Sequence, residues 1–328
     1  MNRIFIFLLC IFSCNQNNKI TLQGLEFGTS YSVQYFSENQ INFSNEIDSI
    51  FGLINSSMST YIDNSIISRV NNNESIEVDN HFINVFNTSK KIFNKTNGKF
   101  DPSVGVLVNF WGFGPKYIKK PIDSLEFANL KNLVGFDMFE IDNSNHIIRP
   151  NNSFLDFNAI AKGYTVDLIS VFLDNNNIKN YLVEIGGEIR VKGVNLSKNN
   201  PWVVGIDAPN YDITRDIFNT TELKNSAMAT SGIYRKYKVD SNGKRYAHIL
   251  DPISGTPTKT NILSVSVISD NCIEADAYAT ALHVMSLTEI SNFLNINNGL
   301  DAYVIYENQK EKIVGKAYNN FTTSYRPE

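Results

Sequence analysis

An acid lies within an otherwise apolar segment, EADAYATALHVM, which covers residues 274–285. Its alanines, Leu282 and Val284 are typical of a packed helix, and in a helix Asp276 and Thr280 lie one turn apart on the same face. A buried carboxylate without a partner is energetically costly. The segment therefore predicts that these two oxygen-bearing side chains face either a cation or solvent.

Two glycine-containing segments place acids beside regions suited to a flat or an anionic ligand. In GKFDPSVGVLVNFWGFGP, residues 98–115, Asp101 precedes an apolar run and an aromatic, glycine-rich end. Those glycines would let a backbone approach a flat ligand closely, and a turn packed under aromatic residues explains the pattern equally well. In LDFNAIAKGYTVD, residues 155–167, Asp156 and Asn158 lie at a strand-to-helix transition, where a helix-capping role explains one of them. Lys162 follows in the first turns of the helix, a region that favours anions.

Two further segments carry polar groups whose roles the sequence leaves open. AMATSGIYRKY contains Thr230, Ser231 and Arg235, which are candidate phosphate contacts and equally plausible turn residues. HILDPISGTP contains His248 and, three residues later, Asp251. Imidazole ordinarily titrates near neutral pH, so His248 is a candidate proton acceptor, although a lone histidine is more often structural.

The elements that must position these residues are predicted by hydrophobic periodicity. Helical spacing of apolar residues predicts helices within residues 43–59, 79–96, 160–174 and 274–287. Strand pairs are predicted over residues 139–149, 234–250 (around the turn Asn242-Gly243) and 302–318. In YLVEIGGEIRVKG a glycine pair between two glutamates predicts a tight bend or a bulge. Helices mixed with antiparallel hairpins favour a single domain of the α+β class.

Bulk properties exclude some classes of function. The chain has 328 residues, 42% of them hydrophobic, and a formal net charge of −4 without a long basic run, so nucleic acid is not an expected partner. No predicted strand leads into a Gly-x-Gly-x-x-Gly loop, which excludes a Rossmann dinucleotide site. Cys272 is the one cysteine outside the amino-terminal segment, so no internal disulfide is expected and a packed, inert thiol is predicted.

The amino-terminal segment is typical of an exported protein. Arg3 precedes an apolar run that is too short to span a bilayer, and Ile-Phe-Ser-Cys at its end resembles a bacterial lipobox. We therefore expect a lipoprotein signal peptide over residues 1–13, a lipidated Cys14 with a tether over residues 14–22, and a folded domain over residues 23–328. A cleaved, unlipidated signal and an uncleaved anchor are the alternatives.

Taken together, these segments resemble the ApbE family of flavin transferases. The resemblance rests on an ordered set of motifs over residues 24–287: TSYSV, MSTYIDNSIISRVN, GKFDPSVGVLVNFWGFG, LDFNAIAKGYTVD, YLVEIGGEIRVKG, AMATSGIYR, HILDPISGTP and SVSVISDNCIEADAYATAL. It implies a single-domain fold, related to the T-fold, with mixed or antiparallel sheets and packed helices. It also implies Mg²⁺-dependent transfer of FMN from FAD to a threonine hydroxyl of a target protein, with release of AMP.

The resemblance also implies roles for individual residues. The expected Mg²⁺ ligands are the side chains of Asp276 and Thr280 and the carbonyl of Ala159, all of them hard oxygen donors. His248 or Asp251 is expected to be the base that activates the threonine, with His248 favoured. The expected FAD contacts are Phe27, Tyr61, Lys99, Phe100, Asp101, Asp156, Lys162 and Leu250.

By the same resemblance, the expected acceptors are flavoprotein subunits of the Na⁺-translocating NADH:quinone reductase or of Rnf-type complexes. A lipid-anchored enzyme at the inner membrane, facing the periplasm, would suit such acceptors. Two other functions remain open: hydrolysis of FAD to FMN and AMP, in which water replaces the threonine, and storage of FAD by a lipid-anchored binding protein.

Overall fold

A computed structural model describes residues 18–116, 123–210, 216–234, 237–239 and 245–324. Its helices are α1 Ser44–Met58, α2 Ile66–Asn71, α3 Asn80–Lys95, α4 Gly105–Phe110, α5 Ser124–Lys131, α6 Ala161–Asn175, α7 Cys272–His283 and α8 Leu287–Ile296, with a 3₁₀ turn at Phe136–Met138. Its strands are β1 Asn18–Glu26, β2 Thr29–Ser37, β3 Glu140–Ile141, β4 Ile147–Ile148, β5 Tyr181–Ile185, β6 Glu188–Lys192, β7 Trp202–Asp207, β8 Ile217–Leu223, β9 Ala227–Gly232, β10 Tyr237–Val239, β11 Arg245–Ala247, β12 Leu250–Asp251, β13 Thr256–Pro257, β14 Ile262–Ser269, β15 Asp301–Glu307 and β16 Ile313–Tyr318.

One antiparallel sheet of eight strands organises the molecule, in the order β1-β2-β5-β6-β9-β14-β15-β16. Helices α6 and α7 pack against each other and against its central strands. The hairpin β7–β8 contributes Trp202 and Val204 to a separate apolar cluster with Ile189 and Val191 of β6. This arrangement confirms the predicted α+β class.

Alternating side chains of the strands supply two cores, because successive residues of a strand point to opposite faces. In β15, Ala302 and Val304 join the cluster that includes α3 and α7, whereas Tyr303 and Ile305 join the cluster that includes β7 and β8. Every residue of β15 from 302 to 305 is therefore buried, which explains its nearly continuous apolar sequence.

Three of the predicted helices are confirmed with small shifts of their ends, at α1, α3 and α6. The helix predicted over 274–287 is wrong at its carboxyl end: α7 stops at His283, and α8 begins at Leu287. Ser286 and Glu289 form a reciprocal capping box there, so the backbone N–H groups at the start of α8 are satisfied locally.

The predicted hairpins are present as β3–β4, β10–β11 and β15–β16, although β3 and β4 are only two residues long. The turn Asn242-Gly243 lies outside the described residues. Gly186 and Gly187 connect β5 to β6 with φ of 65° and 105°, so the glycine pair is a two-residue hairpin turn. Strand β1 begins at Asn18, before the expected domain start at residue 23.

Candidate active site

A cavity of about 1010 Å³ opens beside the carboxyl end of β1, the turn between β5 and β6, and the helices α6 and α7. Its wall combines apolar residues with a small number of charged groups, as is usual for sites that hold a large organic ligand. The residues predicted from the sequence that line it are Phe27, Tyr61, Lys99, Phe100, Asp101, Asp156, Ala159, Lys162, His248, Leu250, Asp276 and Thr280.

Among the predicted site residues that the structure describes, Asp251 does not line the cavity. Its carboxylate lies 3.6 Å from the ammonium group of Lys99. Lys99 lines the cavity, so Asp251 influences the position and charge of a wall residue without being one. His248 is in the wall itself, with its ring 6.4 Å from that of Phe113. This placement favours His248 over Asp251 as a group that contacts a bound ligand.

The predicted metal ligands meet where α6 approaches α7. Asp276 is buried, and its Oδ2 accepts a hydrogen bond of 3.0 Å from the backbone N–H of Gly163. In a regular helix that N–H would bond the carbonyl of Ala159, four residues earlier. Because the N–H of Gly163 donates to Asp276 instead, the Ala159 carbonyl is left available at the amino end of α6. The hydroxyl of Thr280 lies 3.0 Å from that of Ser231 on β9.

Gly163 permits this close approach of the two helices. A Cβ atom at Gly163 would lie 2.4 Å from the carbonyl oxygen of Cys272 and 2.8 Å from Cβ of Asp276, both far closer than atoms can pack. Asp167, one turn later on α6, accepts hydrogen bonds of 2.9 Å from the N–H groups of Cys272 and Ile273. The start of α7 is therefore fixed by α6, and with it the position of Asp276.

A second carboxylate, Glu188, lies in the wall at the start of β6 and was not predicted as a site residue. Its Oε2 is 2.7 Å from the ammonium group of Lys162, and its side chain is only 4% exposed. Burial raises the pKa of Glu188, which the charge of Lys162 partly opposes. Glu188 and Lys162 are far apart in the sequence, so no spacing rule indicates this pair.

Asp101 is another buried acid of the wall, in the segment between α3 and α4. Its Oδ1 accepts hydrogen bonds from the backbone N–H and the hydroxyl of Ser103, at 2.8 and 2.6 Å. Burial raises the pKa of Asp101 to about 6, while these hydrogen bonds act in the opposite direction. A carboxyl group with this pKa changes between hydrogen-bond donor and acceptor close to neutral pH, which suits recognition of a polar ligand edge.

The donor set near Asp276 fits Mg²⁺ in its chemistry, since it consists of carboxylate, hydroxyl and carbonyl oxygens. Among the described residues, no group of three or more His, Cys, Asp or Glu side chains is arranged to hold a metal ion. A cation here would thus rely on one carboxylate and take its remaining ligands from water and from the phosphates of a substrate, as Mg²⁺ commonly does.

Two of the remaining candidates can be placed. Thr230 and Ser231 line the cavity, and the hydroxyl of Thr230 is 2.8 Å from that of Ser266. Arg235 and Cys14 lie outside the described residues. Cys272 is buried, and burial raises the pKa of its thiol well above the usual range, which agrees with the predicted inert thiol.

Comparison with known proteins identifies relatives over nearly the whole chain. The ApbE family model matches residues 27–304. A curated FAD:protein FMN transferase of Vibrio cholerae is 35% identical over 287 residues, covering 85% of each chain, and one of Haemophilus influenzae is 34% identical over 312 residues, covering 90% of this chain and 89% of the relative.

Solved structures agree with these matches. The flavin transferase ApbE from Vibrio cholerae superposes with a TM-score of 0.82 at 32% identity, covering 92% of this chain and 97% of that one. The apo form of the flavinyl transferase ApbE of Pseudomonas stutzeri also gives a TM-score of 0.82, at 28% identity, with 92% and 95% covered. The family model and these relatives span the fold and its cavity, and this chain belongs to the ApbE family.

Proposed function

We propose that this protein transfers the FMN moiety of FAD to a threonine hydroxyl of an acceptor protein and releases AMP. The observation that carries the proposal is the cavity: it gathers buried acids, hydroxyl groups, two lysines and aromatic residues in a volume that suits a dinucleotide. Relatives in the same family that match most of this chain carry the name FAD:protein FMN transferase.

In the proposed reaction, the threonine oxygen forms a bond to the FMN-side phosphorus of FAD. The bond from that phosphorus to the bridging oxygen breaks, and AMP leaves with this oxygen. His248 accepts the proton of the threonine hydroxyl, since it is the wall residue whose side chain is best suited to act as a neutral base. Lys162 and Lys99 contribute positive charge to the wall that faces the phosphates.

Asp276, Thr280 and the Ala159 carbonyl would hold a Mg²⁺ ion. Bound there, the ion would neutralise charge on the pyrophosphate and stabilise the departing AMP. The protein presents these oxygens from α7 and from the amino end of α6. Gly163 and Asp167 fix the spacing of the two helices. Because α6 and α7 pack closely, a small displacement of either helix would move Asp276 and reduce the rate of the proposed transfer.

The acceptor and the location belong to the same proposal. We infer that the acceptors are exported flavoprotein subunits, such as those of the Na⁺-translocating NADH:quinone reductase or Rnf-type complexes, and that Cys14 carries a lipid anchor at the inner membrane, facing the periplasm. The lipobox-like start of the chain supports the anchor. No helix within the described parts of the chain has the length and apolar character needed to cross a bilayer.

Intact-protein mass spectrometry tests the reaction directly. The purified protein is incubated with FAD, Mg²⁺ and an acceptor domain that carries the threonine, and the acceptor is expected to gain the mass of FMN while AMP appears in solution. Asp276→Asn is expected to abolish the adduct, whereas Asp270→Asn, which removes an exposed acid just before α7, leaves it unchanged. His248→Ala is expected to bind FAD without transferring FMN.

Other outcomes would contradict the proposal in distinguishable ways. Free FMN and AMP without an adduct would identify a hydrolase. FAD that stays intact and bound would identify a storage protein. Normal transfer by His248→Ala would show that another group accepts the proton.

A further inference from the structure

Glu188 lines the cavity and has no role in the proposed reaction. Lys162 on α6 lies between two buried acids, Glu188 on β6 and Asp276 on α7, and all three line the cavity. The ammonium group is 2.7 Å from Oε2 of Glu188. Burial lowers the pKa of Lys162, but the charges of Asp276 and Glu188 outweigh burial and raise it above its ordinary value. One ammonium group therefore interacts with both acids.

This arrangement sets up a competition at Asp276. An ammonium group that paired fully with Asp276 would occupy the same lone pairs that a divalent cation needs, and it would also repel that cation. The 2.7 Å contact places the ammonium group on Glu188, from where its charge still acts on Asp276 without forming a close ion pair with it. Asp276 accepts a hydrogen bond from the neutral backbone N–H of Gly163, which fixes the carboxylate without bringing a full charge.

Glu188 is well placed to hold the lysine because its own position is fixed. It is the first residue of β6, it pairs with Ile185 across the hairpin, and it follows the glycine turn. The N–H of Gly187 donates to Oε1 of Glu184 at 2.8 Å, which closes the turn. Because the carboxylate of Glu188 is held by a strand and the ammonium by the first turn of α6, their contact needs little further ordering.

We propose that Glu188 is a positioning residue that retains the Lys162 ammonium group at the β5–β6 turn and thereby keeps the Asp276 carboxylate available to a divalent cation. The inference rests on the proposed metal site at Asp276 and adds a residue that holds neither metal nor substrate. It predicts that the effect of Glu188 on metal binding operates through Lys162.

Binding of Mn²⁺ alone to the purified protein, followed by the electron paramagnetic resonance signal of the free ion, tests this coupling without any turnover. Glu188→Gln is expected to weaken Mn²⁺ binding by about tenfold, the order expected for a charge interaction at close range in a partly polar site. In a Lys162→Met background, the same Glu188→Gln change is expected to alter the dissociation constant by less than about threefold. Lys162→Met alone is expected to bind Mn²⁺ at least as tightly as the wild type.

The control is Asp174→Asn, which disrupts the other lysine–acid pair between α6 and β6. Lys192 and Asp174 lie 2.8 Å apart, outside the cavity, so Mn²⁺ binding should not change. Circular dichroism melting of each variant verifies that it is folded.

Each alternative result is decisive. If Glu188→Gln binds Mn²⁺ as tightly as the wild type, the inference is overturned. It is also overturned if Glu188→Gln weakens Mn²⁺ binding equally with and without Lys162, since Glu188 would then act by its own charge or as a ligand. If binding requires Asp276 and is indifferent to Glu188, only this inference fails. If the wild type binds no Mn²⁺, or Asp276→Asn binds it equally well, the proposed metal site fails together with the inference.

Discussion

At the scale of single residues, His283 lies in an environment unlike that of an exposed histidine. It ends α7, one turn beyond Thr280, and it is fully buried. Burial, together with the charge of nearby His248, lowers its pKa to about 4. His283 is therefore neutral at physiological pH, and protonation would place an unsolvated charge inside the fold.

This burial predicts a loss of stability in acid. The pKa of His283 is lower in the folded state than in the unfolded state, so its contribution to stability is complete above about pH 6.5 and is lost as the pH falls towards about 4. The full loss is about 3 kcal/mol in the free energy of unfolding. Urea unfolding at a series of pH values should show a shallower acid-side decline for His283→Leu than for the wild type.

His146 supplies the control for this titration, because it is partly exposed beside Asp142. We expect His146→Gln to retain the acid-side decline of the wild type. Parallel pH profiles for His283→Leu and the wild type would show that His283 is not the group responsible.

Individual residues also mark the limit of what the sequence predicts. Asp276 and Thr280 were identifiable because they share one helix, where spacing determines which side chains are neighbours. The pair of Lys162 with Glu188 joins a helix to a strand, and the contact of Asp276 with the N–H of Gly163 joins two helices. Such contacts depend on packing between elements, which periodicity along the chain does not specify.

At the scale of elements, the contact between α6 and α7 determines the geometry of the site. Gly163→Ala would force a Cβ atom into the Cys272 carbonyl and Cβ of Asp276, and the helices would have to separate. We expect the variant to lose about 1–3 kcal/mol in the free energy of unfolding, the usual cost of overpacking. It should also lose affinity for FAD, as measured by quenching of flavin fluorescence.

Gly52→Ala is the matched control, since Gly52 lies on the exposed face of α1 and a Cβ atom added there would meet no atom within 4 Å. It should raise the free energy of unfolding by about 0.5–1 kcal/mol, because alanine favours a helix over glycine. Unchanged stability and FAD affinity in Gly163→Ala would mean that α6 and α7 can separate without consequence for the site.

Elements also differed in how well the sequence indicated them. Among the apolar residues at helical spacing in α3, Phe82, Val85, Phe86 and Ile92 are buried and Phe93 is half-buried, because amphipathic periodicity reflects the face that meets the core. The short helices α2, α4 and α5 were missed, since six to eight residues give little periodic signal. The boundary between α7 and α8 was also missed, although Ser286 and Glu289 carry a recognisable capping box.

At the scale of the whole molecule, the cavity joins segments from Phe27 to Thr280 and so couples ligand binding to global stability. FAD with Mg²⁺ should raise the melting temperature more than FAD alone. A ligand at about a hundred times its dissociation constant stabilises by about 2.7 kcal/mol, which corresponds to several degrees in a domain of this size. Differential scanning fluorimetry measures the shift.

Asp276→Asn should retain the part of this shift that FAD produces alone and lose the part that depends on Mg²⁺. An identical response to Mg²⁺ in the wild type and in Asp276→Asn would contradict a metal site at Asp276, even if FAD itself binds normally.

The length of β1 bears on the distance between the proposed lipid anchor and the cavity. The strand runs over nine residues from Asn18 to Glu26, and the next residue, Phe27, lines the cavity. At about 3.3 Å per residue, β1 is about 30 Å long. With the proposed lipid at Cys14, the chain enters the fold one strand length from the flavin pocket. Such an anchor would make the strand a spacer and would favour acceptors whose threonine projects well clear of the lipid headgroups.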